Sequence, residues 1–242
     1  MARKKAKRKR EIVRVTFDKE AWKPKTQLGE RVKNDEIKDI NDILDSGKSI
    51  MEAGIVDILL PGITVDLLLI GQAKGKFGGG QRRVFKQTQK KTKEGNKPHF
   101  ATMAVVGNKE GIVGIGYGKA KETVPAREKA IRNAKKNIIK IRRGCGSWQC
   151  TCKKPHSIPF AVSGKCGSVR LKLLPAPKGT GLCIERECQK LLSAAGIKDV
   201  WSKTIGQTRT KVNLIKACEQ ALKKLMDTRI QERHVKELGI KE

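Results

Sequence analysis

The chain has 242 residues, of which 54 are Lys or Arg and 24 are Asp or Glu, so its formal net charge is +30. A compact chain with that surplus repels itself unless negative charge lies nearby, which argues for a polyanionic partner and against an ordinary metabolic enzyme. No apolar run reaches the ~18 residues of a membrane span. No apolar segment follows the basic N-terminus as it would in a signal peptide. We expect an intracellular protein that binds neither a membrane nor a small-molecule substrate.

The positive charge is concentrated in two places. Residues 1–10 carry seven basic and no acidic side chains. This predicts a disordered arm that orders on nucleic acid, with a nuclear-localisation signal as the alternative. Residues 129–184 hold thirteen basic side chains and neither Asp nor Glu. A solvated surface normally mixes both signs, so this span favours phosphate contact.

Residues 11–60 reverse the balance, with eleven acidic against eight basic side chains. One helix is predicted after a cap at Asn34 or Asp35, and a second from about Ser49 to Leu60, ahead of Pro61-Gly62. We expect this section to pack on the body of the protein or to meet a basic protein, rather than to touch phosphate.

The segment from Lys74 to Arg83 contains three successive glycines flanked by cations. Glycine lets backbone amides approach a phosphate closely because no Cβ stands in the way. The segment therefore predicts a loop that clasps an RNA backbone, and a flexible linker is the alternative.

Two β-rich runs, from Phe100 to Gly107 and from Ile112 to Gly118, are joined by a short turn that ends in glycine, which predicts a β-hairpin. The glycines at 114, 116 and 118 match neither a dinucleotide-binding nor a P-loop fingerprint. Because glycine has no side chain, they are expected to leave one face of the strand open, so that RNA or another backbone can approach.

A helix is predicted next, with Thr123 as its cap and Pro125 in its first turn. Its apolar stripe is expected to comprise Ala126, Ala130, Ile131, Ala134, Ile138 and Ile141, and its basic outer face Lys129, Arg132, Lys135, Lys136 and Lys140.

Four potential metal ligands occur in the spacing C-x4-C-x-C-x3-H: Cys145, Cys150, Cys152 and His156. This set could complete one tetrahedral structural zinc site. Cys166 or Cys188 could replace any one ligand, and a group of incidental thiols is the alternative reading. A catalytic Cys–His pair is disfavoured, since no Asp or Glu lies within 25 residues of His156 to orient it.

Beyond this loop, Ile158 to Val162 and Ser168 to Leu174 are predicted as strands, and Glu187 to Ala195 and Lys211 to Met226 as helices. The apolar face of the last helix is expected to pass through Cys218. This order of elements indicates an α+β domain. Aromatic residues make up only 4% of the chain, too few to bind single strands by successive base stacking, which favours contact with helical RNA.

Several long motifs resemble the small-subunit ribosomal protein S-five family. They are the glycine-rich run from Gly111 to Ala126 with the basic helix that follows, the strand motif from Gly164 to Val169, and the loop motif from Leu174 to Gly181. The N-terminal extension, an insertion from Gln87 to Pro98 and the Cys-rich loop resemble the archaeal and eukaryotic branch, and the cysteines point to an archaeal type.

The resemblance implies an α+β fold, with an N-terminal domain resembling a double-stranded-RNA-binding fold and a second domain of the family's C-terminal type. We expect six segments: a basic arm (1–12), a mostly helical extension (13–60), the RNA-binding-like domain (61–143), a Cys-rich linker (144–157), the C-terminal domain (158–228) and a tail (229–242).

In this family the glycine-rich basic loop maps onto Lys74 to Arg83 and RNA contacts map onto Lys119, Lys121 and Arg127; the charge distribution adds further candidates. The predicted RNA-binding residues are Arg3, Lys4, Lys5, Lys7, Arg8, Lys74, Lys76, Gly78, Gly79, Gly80, Arg82, Arg83, Lys86, Lys119, Lys121, Arg127, Lys135, Lys136, Arg142, Arg143 and Lys178.

The resemblance further implies a non-enzymatic component of the small ribosomal subunit in the cytoplasm. Such a protein binds ribosomal RNA near the channel where mRNA enters, contacts ribosomal proteins S-four and S-eight, and supports subunit assembly and decoding accuracy. A free double-stranded-RNA-binding regulator is the alternative, and an RNA-modifying enzyme is disfavoured because no cofactor fingerprint is present.

Overall fold

The computed structural model describes residues 19–73 and 80–241, which form two sheets with helices packed on them, in agreement with the predicted α+β class. The helices are α1 (Gln27–Lys33), α2 (Ile40–Asp45), α3 (Ala53–Leu59), α4 (Thr123–Lys136), α5 (Arg186–Ala194), α6 (Lys211–Asp227) and α7 (Glu232–Glu237). The strands are β1 (Thr64–Leu68), β2 (Lys86–Thr92), β3 (Gly95–Gly107), β4 (Ile112–Ala120), β5 (Ile138–Lys140), β6 (Val162–Cys166), β7 (Val169–Pro175), β8 (Leu182–Cys183) and β9 (Val200–Ile205).

The first sheet is antiparallel, with strand order β1-β3-β4-β5, and β2 pairs with the N-terminal half of β3. The predicted hairpin is confirmed, since Phe100 lies opposite Ala120 and Gly107 opposite Val113. The strand before the turn begins earlier than predicted, at Gly95, because the insertion at 87–98 forms an exposed two-stranded ribbon that continues it.

Helix α4 packs on one face of this sheet through Ala126, Ala130 and Ala134, as predicted. A Cβ placed on Gly116 of β4 would lie 2.1 Å from the carbonyl oxygen of Ala130 and 2.1 Å from the amide nitrogen of Ala134. The alternating glycines of β4 therefore admit a helix backbone, which is one of the two partners expected for them.

Both ends of α4 differ from the prediction. The cap position is Glu122, without a side-chain hydrogen bond, and Thr123 is the first helical residue. The helix ends at Lys136, so Ile138 belongs to β5 and Ile141 follows it, and neither extends the stripe of the helix. Both are buried, but in the layer formed by the sheet. The four-residue spacing that suggested a helical stripe is coincidental there.

The second sheet has strand order β6-β7-β9-β8, and α6 packs across β6 and β7. The predicted strand at 158–162 is wrong, because pairing begins only at Val162. The other three predicted elements of this domain agree with β7, α5 and α6 to within one residue at each end. The buried face of α6 passes through Cys218, as predicted, whereas Glu219 forms an ion pair with Lys223.

The two sheets share one core, because the face of the first sheet opposite α4 packs against α5 of the second domain. Met103 and Val105 of β3 join the same buried cluster as Leu191 and Leu192 of α5. The buried carboxylate of Glu187 on α5 also accepts hydrogen bonds from the backbone of Leu69 and from the ammonium of Lys190, both at 2.8 Å.

The described part of the acidic extension, residues 19–60, packs on the first sheet, as one of the two alternatives predicted. Asp57 of α3 forms an ion pair with Lys135 of α4 at 2.5 Å, and Asp45 of α2 pairs with Lys140 of β5 at 3.1 Å.

The predicted helix bounds in this extension were wrong. Asp35 adopts a left-handed conformation with φ 61°, so no helix begins there, and α2 starts at Ile40. Helix α1 was not predicted, and α3 begins at Ala53, four residues later than expected. Among the helices that the structure describes, none combines the length and the apolar character needed to cross a bilayer.

Candidate nucleic-acid interface and metal centre

Nine of the predicted RNA-binding residues lie outside the described residues, and their predictions remain untested. They are Arg3, Lys4, Lys5, Lys7, Arg8, Lys74, Lys76, Gly78 and Gly79.

The junction between β4 and α4 presents a group of exposed cations. Lys119 is the second-last residue of β4, Lys121 lies in the turn, and Arg127 lies in the first half of α4; all three are exposed. In the part of the chain that the structure describes, no carboxylate forms an ion pair with any of them. These charges are free to meet an external anion.

The other predicted cations are distributed over several surfaces. Arg83, Lys86 and Lys178 are exposed, as is Gly80, which has a left-handed conformation. Arg82 is half-buried, and its Nη1 lies 3.4 Å from the carbonyl oxygen of Gly71, across the base of the glycine-rich loop.

Three predicted RNA-binding residues are engaged within the protein. Lys135 is paired with Asp57 and its side chain is only 17% exposed. Nη1 of Arg142 donates to carbonyl oxygens at the end of α6, at 3.2 Å to Met226 and 2.7 Å to Thr228. We therefore omit Lys135 and Arg142 from the proposed interface, because their charges are used to join elements of the fold.

Arg143 has a similar structural role at the domain junction. Its Nη1 and Nη2 donate to the carbonyl oxygens of Lys109 and Glu110, at 3.2 and 2.7 Å. Burial lowers the pKa of its guanidinium, and Nε is buried without a hydrogen-bond partner in the described structure. Lys136, at the end of α4, is half-buried.

The four predicted metal ligands converge on one point. One ligand atom from each of Cys145, Cys150, Cys152 and His156 lies within 4.8 Å of the others. The Sγ atoms of Cys145 and Cys152 are 3.7 Å apart, as are Sγ of Cys150 and Nε2 of His156. The predicted alternatives are not supported, because Cys166 and Cys188 are not among the clustered ligands.

These distances fit a tetrahedral zinc ion. Zn–S and Zn–N bonds of about 2.3 and 2.1 Å in tetrahedral geometry require ligand atoms roughly 3.6–3.8 Å apart. The Cys145–Cys152 and Cys150–His156 separations already have this value, and all four ligand atoms lie within 4.8 Å of one another. Three thiols and one imidazole are also a donor set typical of structural zinc.

His156 is oriented by a carboxylate that the local sequence did not reveal. Nδ1 of His156 lies 2.8 Å from Oδ2 of Asp199, and both side chains are buried. Oδ1 of Asp199 accepts backbone hydrogen bonds from Gly179 and Gly181 at 3.1 and 2.9 Å. A carboxylate in this position fixes the imidazole so that Nε2 faces the metal. No Asp or Glu lies within 25 residues of His156 to orient it, but a carboxylate 43 residues away does so.

Two of the thiols in the cluster have opposite pKa shifts. Backbone amides of Lys178 and Cys152 point at Cys150 and lower the pKa of its thiol to about 6. Burial, together with its two thiol neighbours, raises the pKa of Cys145 to about 12. A cation at the centre would favour thiolate at both positions, because a metal-bound thiol is deprotonated outright.

The chain Cys150–His156–Asp199 also has the order of a nucleophile, a base and an orienting carboxylate. What separates it from a hydrolytic site is the pair of additional thiols, Cys145 and Cys152, within the same 4.8 Å. A nucleophile needs one thiol and open space beside it, whereas four soft ligands around one point match a metal.

The whole chain was also compared with known proteins. Residues 70–142 match the family model described as ribosomal protein S5, N-terminal domain, and residues 164–234 match ribosomal protein S5, C-terminal domain. The chain belongs to the ribosomal protein S5 family. The exposed cations at the β4–α4 junction lie in the N-terminal S5 domain, and the four clustered ligands lie between the two matched ranges.

Archaeal relatives cover nearly the whole chain. The small ribosomal subunit protein uS5 of Nanoarchaeum equitans is 48% identical over 223 residues, which is 92% of this chain and 96% of the relative. The uS5 protein of Methanocaldococcus jannaschii is 47% identical, over 94% of this chain and 98% of the relative. That of Methanococcus maripaludis is 44% identical over all 242 residues and 98% of the relative.

Within this S5-family chain, the segment after α6 returns to the Cys-rich loop. The amide of Cys145 donates to the carbonyl of Leu238 at 2.8 Å, and Arg143 and Lys241 exchange backbone hydrogen bonds at 2.8 and 2.9 Å. The tail contains α7 and then packs beside the Cys/His cluster.

Proposed function

We propose that the chain is a structural component of the small ribosomal subunit that binds ribosomal RNA. Membership of the S5 family over both domains is the observation that carries this proposal. The unpaired cations Lys119, Lys121 and Arg127 support it, because phosphate contacts need positive charge that the protein has not already neutralised. The role is structural rather than catalytic.

The finer features of this role follow from the family resemblance. The protein acts in the cytoplasm, lies near the channel where mRNA enters, and contacts ribosomal proteins S-four and S-eight. It supports subunit assembly and decoding accuracy. The division into a basic arm, a helical extension, two domains, a Cys-rich linker and a tail is part of the same proposal.

The proposed RNA interface combines the junction cations with the exposed Arg83, Lys86 and Lys178. The N-terminal arm and the glycine-rich loop extend it, as the charge pattern predicts. Since aromatic side chains are scarce, contact is made with the phosphates and shape of helical RNA.

Salt dependence tests the interface. In Lys119→Gln/Lys121→Gln/Arg127→Gln, the slope of log affinity against log salt should become shallower by about 0.9 for each phosphate that the variant no longer neutralises. The matched control is Lys23→Gln/Lys25→Gln/Lys38→Gln, which removes three exposed charges from the acidic extension and should leave the slope unchanged. Equal slopes in the two variants would contradict the interface.

Sedimentation separates this proposal from a free regulator of double-stranded RNA. In a sucrose gradient of cell extract, the chain should migrate with small subunits after a high-salt wash. Recovery only at the top of the gradient would favour the regulator.

We further propose one structural zinc ion held by Cys145, Cys150, Cys152 and His156, oriented by Asp199. The convergence of the four ligand atoms supports it. Metal analysis of the protein purified without oxygen should give one zinc per chain. Cys145→Ser should lower that value, and Cys183→Ser, which changes an exposed thiol outside the cluster, should not. Zinc well below one per chain in the unaltered protein would refute the site.

A further inference from the structure

A cavity of about 560 Å³ opens between the two domains, beside the Cys/His cluster. Its wall is formed by the β3–β4 turn, the segment after β5, the Cys-rich loop, and the loops that precede β8 and β9. We call it the interdomain cleft. It is lined by five cations that come from these five segments: Lys109, Arg143, Lys154, Lys178 and Lys198.

The lining of the interdomain cleft carries more positive than negative charge, and Glu110, next to Lys109 in sequence, acts electrostatically on Arg143. Asp199 is the one carboxylate among the described residues that line it, and both of its oxygens are engaged, by His156 and by two glycine amides. The four lysines are exposed, and none forms an ion pair with a carboxylate within residues 19–73 and 80–241. Cations gathered in a concave surface focus the field and attract an anion.

Arg143 adds a buried charge at the inner wall. Two of its nitrogens are satisfied by backbone carbonyls, but Nε is buried and has no partner among the described residues. A buried charged donor without an acceptor is costly, and an anion near the guanidinium would offset part of that cost through its charge.

The Cys/His cluster positions three of the five cations. Lys154 lies between Cys152 and His156 in sequence, and the backbone of Lys178 lies close enough to Cys150 to lower the pKa of its thiol. The amide of Lys198 donates to the carbonyl of His156 at 2.8 Å. The cluster thereby holds the mouth of the cleft in one arrangement.

The lining indicates which chemical group fits. No Phe, Tyr or Trp is among the described residues that line the interdomain cleft, so a base would find no ring there on which to stack. Lysine and arginine side chains from separate loops are suited to the oxygens of a phosphate. We propose that the interdomain cleft binds a phosphodiester group of the RNA backbone. This inference rests on the proposed function. It adds that side chains from both domains contact the backbone of one RNA strand.

The test uses the full-length, zinc-loaded chain and two probes. A short RNA duplex and inorganic pyrophosphate are titrated separately while the amide resonances of Lys109, Gly196 and Lys198 are followed by NMR. Affinity for the duplex is measured for Lys109→Gln/Lys198→Gln. The control, Lys216→Gln/Lys224→Gln, removes two exposed charges from α6, away from the cleft lining.

We expect the duplex to shift the cleft amides, and the cleft variant to bind it about eightfold more weakly at 0.1 M salt for each phosphate that it no longer neutralises. The α6 control should bind within about twofold of the unaltered chain. Duplex binding without these shifts would overturn the cleft contact and leave the proposed function intact. Shifts with pyrophosphate alone would also overturn it, in favour of a site for free anions. Failure of the unaltered chain to bind the duplex would instead count against the proposed function.

Discussion

Asp199 and His156 form a buried pair, with Oδ2 of the carboxylate 2.8 Å from Nδ1 of the imidazole. The pair links the Cys-rich loop to the loop before β9, and the carbonyl of His156 accepts backbone hydrogen bonds from Lys198 and Asp199 as well. The Cys-rich linker is therefore fastened to the second domain through its histidine ligand.

Removing the charge of this carboxylate should weaken metal binding. Asp199→Asn keeps an oxygen for the amides of Gly179 and Gly181 but loses the acceptor that orients His156. We expect zinc affinity to fall about 10- to 100-fold, as for other residues that orient a metal ligand. Competition with a chromophoric chelator measures the change.

Asp66→Asn is the matched control, since Asp66 is an exposed carboxylate on β1. Its zinc affinity should equal that of the unaltered chain. If Asp199→Asn also retains full affinity, the carboxylate does not support the ligand.

Removing zinc should loosen the tail. The amide of Cys145 donates a hydrogen bond to the carbonyl of Leu238, and the backbones of Lys241 and Arg143 exchange two hydrogen bonds. The cluster and the tail therefore hold each other in place. After chelation, hydrogen exchange at residues 238–241 should accelerate and Tm should fall by several degrees, because metal binding contributes directly to folding. Exchange in the β3–β4 hairpin serves as the internal control and should not change. Unaltered exchange at 238–241 would show that the tail is held independently.

The two ion pairs of the acidic extension should differ in strength. Asp57 and Lys135 are 16% and 17% exposed, whereas the second pair joins Lys140, 11% exposed, to Asp45, which is 58% exposed and therefore screened by solvent. Asp57→Asn removes a charge from a pair whose two members are both mostly buried and should cost about 2 kcal/mol of unfolding free energy. Asp45→Asn should cost below about 1 kcal/mol, as exposed pairs do. Urea denaturation of both variants measures the difference, and equal losses would contradict this reasoning.

Local patterns were sufficient for the elements whose contacts are local. Two β-rich runs joined by a glycine-containing turn predicted the hairpin around 108–111, and the spacing of apolar residues predicted α6 to within one residue at either end. The four ligands were predictable because they lie within twelve residues. Asp199 was not, since no periodicity connects it to His156 across 43 positions.

The partners of individual Lys and Arg side chains also could not be predicted from the sequence. Arg142 and Arg143 lie in an acid-free span, which predicts phosphate contact. The structure shows in addition that backbone carbonyls at the end of α6 and in the β3–β4 turn accept their hydrogen bonds, and that Arg143 also lines the interdomain cleft. Counting acidic residues along the sequence shows where a cation could find a carboxylate partner. It gives no information on backbone carbonyl oxygens that accept its hydrogen bonds. The ion pair of Lys135 could not be predicted either, because its partner Asp57 approaches only when the extension packs on α4.

The contact between β4 and α4 gives the sharpest test of the first domain. In Gly116→Ala the new methyl group would lie 2.1 Å from backbone atoms of Ala130 and Ala134, so the helix must move away from the sheet. We expect a loss of about 3 kcal/mol, the upper range for overpacking, and a fall in Tm of roughly 6–12 °C for a chain of this length. Gly62→Ala is the control: nothing lies within 4 Å of its Cβ position and its φ is not left-handed, so stability should stay the same or rise slightly. Thermal unfolding followed by circular dichroism compares the two, and a Gly116→Ala variant as stable as the control would mean that the helix does not pack this closely on β4.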